Sequence, residues 1–259
     1  MSGLLAGLEQ QGLDLTKYDS LIGTSAGATV AAQISSSLGI QELYQRQRDE
    51  AKQIHEITPA VNLFKILLKL LPALIVKRNV IKFRQAIGKM AAASKTVSAE
   101  QRRQVILDRM PQHEWPQVEI KILAIHATSG QLRVFTKQSN VDFVDAVTAS
   151  CAVPGIWPSV NINCENYYDG GIRSSENADY AKGAKTALII SPLGLQGNPF
   201  AESSLVEEMK LLQDNGSKVE LIIPDTASKL AMGKNPLDPS KRKAASESGY
   251  RQGLAHQVK

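Results

Sequence analysis

The sequence predicts an α/β fold with a mostly parallel central sheet, and two patterns predict it. Short apolar runs such as "VEIKILAIH" (118–126), "AKTALIIS" (184–191) and "VELIIP" (219–224) alternate with segments of helical periodicity. A Gly-x-Ser-x-Gly turn, "IGTSAGATVAA" (22–32), joins the first strand to a helix of small residues. The 259 residues are 43% apolar, enough for one globular core. No internal repeat or low-complexity linker divides them, so a single domain over 1–259 with a helical insertion at 41–110 is expected.

Residues 1–11 read as a helix with Leu4, Leu5 and Leu8 on one face and Gly12 as its stop. A strand at 18–22 feeds the Gly-x-Ser-x-Gly turn, and a close-packing helix follows over 26–38. Residues 41–110 are mainly helical, with breaks expected at Pro59, around Pro72 and near Gly88. The strand at 118–126 turns through "TSGQ" (128–131) into a second strand at 132–136. A helix at 141–150 ends in "CAVPG", and short strands follow around Val160 and Tyr167. The strand at 184–191, a helix at 203–214, the strand at 219–224 and a helix after Pro239 complete the chain.

Composition excludes several classes. Cys151 and Cys164 are too few for a disulfide framework and form no metal-ligand pattern, so reduced thiols, no metal and no cofactor are expected. Cys151 reads as a buried packing residue. No apolar run reaches the ~20 residues of a spanning helix, and no signal peptide is visible. A cytoplasmic location is therefore expected, with peripheral membrane association.

The chemistry centres on Ser25. A serine between Gly23 and Gly27 at a strand-to-helix turn is the pattern of a nucleophile elbow, where the backbone is strained and side chains beside the serine would clash. A Gly- and Ala-rich turn made only for packing is the competing reading. "YYDGGIRSSENADYA" (167–181) sets Asp169 before Gly170 and Gly171, which allow a sharp bend and a close approach to another segment. By itself that dipeptide reads more readily as a hairpin turn. The four histidines, His55, His113, His126 and His256, have no catalytic context in the sequence.

Taken together, "IGTSAG", "ASCAVPGIWPSV" (149–160), "YYDGG" and "NADYAKGAKTALIISPLG" (177–194) resemble the patatin-like phospholipases, in the family's order. The resemblance implies a three-layer α/β/α fold and lipid acyl hydrolysis by a Ser–Asp dyad, in lipid metabolism. It matches Ser25 to the family nucleophile and Asp169 to the base, and the elbow offers the amide of Ala26 to an oxyanion. A serine hydroxyl needs a base, and an aqueous carboxylate with a pKa near 3.9 is a weak one. Desolvation in an apolar cleft strengthens it.

The family also opens with a strand and a glycine-rich oxyanion loop, whereas only Met1 and Ser2 stand before Gly3 here. The resemblance thus leads us to expect a start missing upstream, or else a natural inactive variant that binds lipid without cleaving it. An unprotected sheet edge beside residues 18–22 is expected in either case. A conventional α/β-hydrolase using Ser25, Asp169 or Asp225, and His256 is rejected, because that fold needs several strands before its elbow.

A second functional region is basic. Between Ile57 and Arg103 stand Lys65, Lys69, Lys77, Arg78, Lys82, Arg84, Lys89, Lys95, Arg102 and Arg103 against the single acid Glu100. "AVNLFKILLKLLPALIV" (60–76) is apolar nearly all round, with Lys65 and Lys69 on one side. An interfacial lid touching an anionic membrane through 60–103 is one reading. A buried helix whose lysines snorkel to water is the other. Nucleic acid is the weaker partner for this patch, because interleaved aromatics and a recognisable module are both missing. The lipid headgroup, the acyl chain and the oligomeric state are not legible in the residues.

Overall fold

The computed structural model describes the chain except residues 15–16, 54–56, 58–72, 74–78, 196–200, 236–237 and 257–259. The proposed interfacial segment 60–76, Pro59, Pro72 and His55 therefore lie outside the described residues, apart from a helical, buried Ala73.

Helix α1 (Ser2–Gln10) buries Leu4, Leu5 and Leu8 and ends at Gly12, whose φ of +96° lets the Leu13 amide reach back to the Leu8 carbonyl at 3.0 Å. Strand β1 (Ser20–Thr24) leads into α2 (Ala26–Ile34), and α3 (Ile40–Arg48) follows. Next come α4 (Val80–Ala92) and α5 (Ala99–Arg109). Asn79 caps α4, and a Ser98–Gln101 capping box opens α5. The expected break near Gly88 is absent. Gly88 lies inside α4, where an added Cβ would sit 2.3 Å from the Ala127 carbonyl oxygen, so the glycine serves close packing on the sheet.

Strand β2 (Glu119–His126) is followed by β3 (Leu132–Phe135), α6 (Phe143–Ser150), β4 (Val160–Ile162) and β5 (Glu165–Asp169). The tight link between β4 and β5 uses Asn163 and Cys164, both at positive φ, as a two-residue hairpin of the mirror-image type. Strand β6 (Thr186–Ile190), α7 (Leu205–Asp214), β7 (Lys218–Ile222), α8 (Thr226–Met232) and α9 (Arg242–Ala255) complete the order. Helix α8 has no counterpart in the expected elements. Asp225 starts it by accepting the Ser228 amide at 2.6 Å.

Parallel pairing joins β1 to β2 and β6 to β7, where helices make the connections; β2–β3 and β4–β5 pair antiparallel through short links, and β5 also pairs antiparallel with β2 across a longer connection. The register around β2 places the site. Residues 119–123 pair with β1, 122–125 with β3 and 124–126 with β5. Because β3 overlaps both others, β1 and β5 must share the opposite edge of β2. They meet head-on: Thr24 lies opposite Leu123, and Asp169 opposite the next residue, Ala124.

Alternation along β2 separates two helical layers. Ile120, Ile122 and Ala124 pack with Ala28 and Ala32 of α2, Ile106 of α5 and Phe143 and Val147 of α6. Ile125 and Ala127 face Phe83 and Ile87 of α4, together with Tyr168. The layers are α/β/α. The described helices of the 41–110 segment belong to these layers, since α3 packs with α1 and β7 while α4 and α5 cover the sheet. Among the described residues, the edge of β1 away from β2 has no strand partner, and β6–β7 form a separate sheet.

Candidate active site

Ser25 sits between β1 and α2 with φ 53° and ψ −123°, a conformation that costs a non-glycine residue of order 1–3 kcal/mol. Surrounding contacts hold it there. An added Cβ on Gly23 would lie 2.6 Å from the Ala28 Cα, so only glycine lets the strand pass the helix. The expectation for Gly27 is corrected: nothing lies within 4 Å of a Cβ added there, so Gly27 leaves open space beside the elbow instead of relieving a clash. Ser25 is half-buried, and Ala26 is exposed at the first turn of α2.

Asp169 closes β5 from the other direction and is 4% exposed. The hairpin reading of Asp-Gly-Gly does not apply, because β5 runs on into a 3₁₀ turn at Gly170–Ile172. Asp169 caps that turn by accepting the Gly171 amide at 2.7 Å. Gly170 packs on β2, where a Cβ would fall 2.5 Å from the Leu123 carbonyl oxygen. The Ser25 side chain hydrogen-bonds the Asp169 carboxylate. Burial pushes the carboxyl up to about 6, and the bonds from Ser25 and Gly171 only partly offset that rise.

Some of the residues that hold this pair are missed by sequence reasoning. Ser150, fully buried at the end of α6, donates to the Leu123 carbonyl at 2.7 Å and accepts the Ser25 amide at 3.0 Å. Cys151, read as a packing residue, is buried, and its thiol also donates to the Ser25 carbonyl at 3.1 Å. Burial raises the pKa of that thiol, which keeps the proton in place to donate. Asn177 is fully buried at φ 50° and reaches both Thr24 and Gly170. The only sequence signal for these positions lies in the blocks "ASCAVPG" and "SSENAD", whose short polar side chains stand where helix or turn ends must be satisfied.

The described histidines are engaged elsewhere. His126 bonds Ser129 and Glu165, His256 bonds Glu220, and His113 bonds the Leu107 carbonyl. Asp225 caps α8. No cluster of three or more His, Cys, Asp or Glu that could hold a metal occurs among the described residues. Within the basic tract, Arg84 is buried against Glu202, Arg102 lies 3.9 Å from the Trp157 ring centre, and Arg103 pairs with Asp142 and Asp145. Lys82, Lys89 and Lys95 are exposed. No described helix is long and apolar enough to cross a membrane.

A family model for patatin-like phospholipases matches residues 1–182. Among solved structures, the type III effector protein ExoU is similar at 16% identity, over 98% of this chain and 50% of that one, with a TM-score of 0.36. The chain thus spans half the length of the ExoU chain it matches. No curated protein matches the sequence.

Proposed function

Since the chain belongs to the patatin-like phospholipase family, we propose that it is a lipid acyl hydrolase that cleaves ester bonds with Ser25 and Asp169. The observation that carries this reading is the hydrogen bond between a strained, half-buried serine and a carboxylate whose burial raises its pKa to about 6. A base of that strength is ionised at neutral pH and accepts a proton far more readily than an aqueous carboxylate. Asp169 takes the Ser25 proton as Oγ attacks the ester carbonyl. The tetrahedral oxyanion accepts a hydrogen bond from the Ala26 amide and is stabilised by the N-terminal end of α2. The alcohol leaves with the proton from Asp169, and a water activated by the same carboxylate then releases the fatty acid from Ser25.

The substrate is a lipid ester met at an interface. Support for the interface comes from the apolar segment 60–76 with Lys65 and Lys69, flanked by Lys77, Arg78 and the exposed lysines of α4. The lid function within 41–110 is assigned to 60–76, because the described helices around it are packed into the core. The domain is one unit over 1–259, acting as a peripheral protein on the membrane surface.

The test is ester hydrolysis on mixed micelles and covalent labelling by a fluorophosphonate. Ser25→Ala and Asp169→Asn are expected to abolish turnover with the fold retained, and Ser25→Ala to abolish labelling. Wild-type turnover by either variant overturns the dyad. Vesicle binding without any hydrolysis by the wild-type chain would instead favour a lipid-binding protein with no catalytic role.

A further inference from the structure

We infer that Asn177 is a positioning residue that fixes the separation of Ser25 and Asp169; the inference rests on the dyad reading above. Thr24 immediately precedes the proposed nucleophile, and Gly170 immediately follows the proposed base. One buried amide joins the two. Asn177 Nδ2 donates its two hydrogens towards the Ser174 carbonyl at 2.7 Å and Thr24 Oγ1 at 3.1 Å, and the Gly170 carbonyl lies 3.4 Å away, sharing one of them. The residues linked to it lie 153 positions away on β1 and 7 positions away at the end of β5.

The orientation of the amide is determined by its neighbours. Arg173 Nη1 can only donate, and it bonds Asn177 Oδ1 at 2.8 Å, so Nδ2 must face the carbonyls. Arg173 is itself fixed by a two-pronged pair with Asp179, at 2.9 and 2.7 Å. The Asn177 backbone N–H donates to Ser174 Oγ at 3.0 Å, which closes the turn on the left-handed backbone that asparagine tolerates. Behind it, the Ala178 amide donates to the buried Glu208 carboxylate at 2.8 Å. The turn is thus anchored on three sides, and from it the Asn177 side chain reaches Thr24 of β1.

The strand geometry explains the need for such a link. Strands β1 and β5 meet end to end on one edge of β2, so no ladder hydrogen bond runs between them. Their separation at the site is otherwise set through β2 and through residues 150–152, where Ser150 and Cys151 bond the Ser25 backbone and the Ala152 carbonyl accepts the Asp169 amide at 3.1 Å. A side-chain bridge across the junction holds the hydroxyl and the carboxylate at reacting distance, where small displacements carry large rate penalties.

The test uses the full chain with Asn177→Gly, which keeps the left-handed backbone and removes the bridge, and Thr24→Val, which keeps shape and removes one hydroxyl. Both are read by kcat and KM separately, by the acid limb of the kcat/KM profile, and by folded fraction. The expected result is a fall in kcat of ~10- to 10²-fold with KM little changed. The acid limb moves to higher pH as Asp169 loses the hydrogen bond from Ser25. A purely structural role would lower the active fraction and leave the limb in place. Wild-type kcat and an unmoved limb in Asn177→Gly and Thr24→Val, with Ser25→Ala inactive, overturn the inference. Should Asn177→Gly fail to fold, Thr24→Val decides alone by the same two readouts. Turnover persisting in Ser25→Ala overturns the underlying dyad instead.

Discussion

The Ser150 hydroxyl accepts the amide of Ser25 at 3.0 Å, linking residues 125 positions apart, and gives its own proton to the Leu123 carbonyl at 2.7 Å. One buried group therefore ties the turn that bears the serine to the strand beside it. Ser150→Ala leaves a buried donor and a buried acceptor without this partner, a loss of ~1–3 kcal/mol in stability. It also frees Ser25 from its strained backbone. The expected outcome is a lower midpoint in urea together with a fall in fluorophosphonate labelling of the protein that remains folded. Unchanged labelling would show that the elbow keeps its geometry without Ser150.

On the proposed mechanism, in which the Asp169 carboxylate accepts the proton, activity should rise as pH increases through about 6, where burial holds its pKa. No described histidine contacts the pair, so the limb reflects a carboxyl group, with a small enthalpy of ionisation. The measurement is kcat/KM between pH 4.5 and 8 at two temperatures, where a carboxyl limb barely moves. A limb near 7 that shifts strongly on heating would assign the proton to another group.

The same burial has a cost to folding. The folded-state pKa of Asp169 lies above its ordinary 3.8, so the folded protein holds the proton more tightly than the unfolded chain. Stability from this group is full below about 4, declines as pH rises to about 6, and stays low above that. Asp169→Asn removes the buried charge and keeps an oxygen to accept the Gly171 amide. It is expected to be inactive yet more stable than wild type at pH 8, by up to about 3 kcal/mol, with the gain vanishing towards pH 4. Thermal melts at both pH values check it. Equal destabilisation at both would mean that the carboxylate is held by partners that asparagine cannot replace.

Much of this arrangement is legible in the residues, for physical reasons. Short apolar runs mark β2 and β6, and the glycine stop marks the end of α1, because each follows from local backbone rules. Ser25 is visible because Gly23 and Gly27 flank it, and Asp169 because Gly170 and Gly171 follow it. Asn177 and Ser150 are not, since their role lies in contacts across 153 and 125 positions, which no local pattern encodes. Gly88 misleads for the same reason. Its lack of a side chain answers to Ala127 in β2, whereas in the sequence it reads as a helix break.

Glycines at the site should divide by what surrounds them. Gly23→Ala and Gly170→Ala would each drive a Cβ to 2.6 and 2.5 Å of backbone atoms, which cannot retreat without moving β1 or β2. Both are expected to reduce soluble yield or melt early. Gly27→Ala faces open space within a helix and should fold as well as wild type, with a helix-propensity gain of ~1 kcal/mol at most. Circular dichroism melts on the three variants test this. A Gly27→Ala protein as unstable as Gly23→Ala would mean that the elbow tolerates no side chain at either flank.

The proposed membrane contact is testable through charges whose removal should spare the core. Arg84 and Arg102 are unsuitable, because they are buried against Glu202 and Trp157 and their replacement would disturb packing as well as charge. Lys65, Lys69, Lys77 and Arg78 carry the basic character next to the apolar stretch 60–76. Each cation near an anionic surface contributes ~1 kcal/mol, weakened as salt shortens the range of the field. Reversing all four to glutamate should therefore lower sedimentation with vesicles rich in anionic lipid by more than ~10²-fold at low salt, and change binding to neutral vesicles little. Turnover on a short soluble ester should be unaffected, since the proposed dyad acts on that substrate without a surface. Full vesicle binding by the reversed variant at low salt would place 60–76 in the core, with its lysines reaching water, and the interface would have to be sought elsewhere.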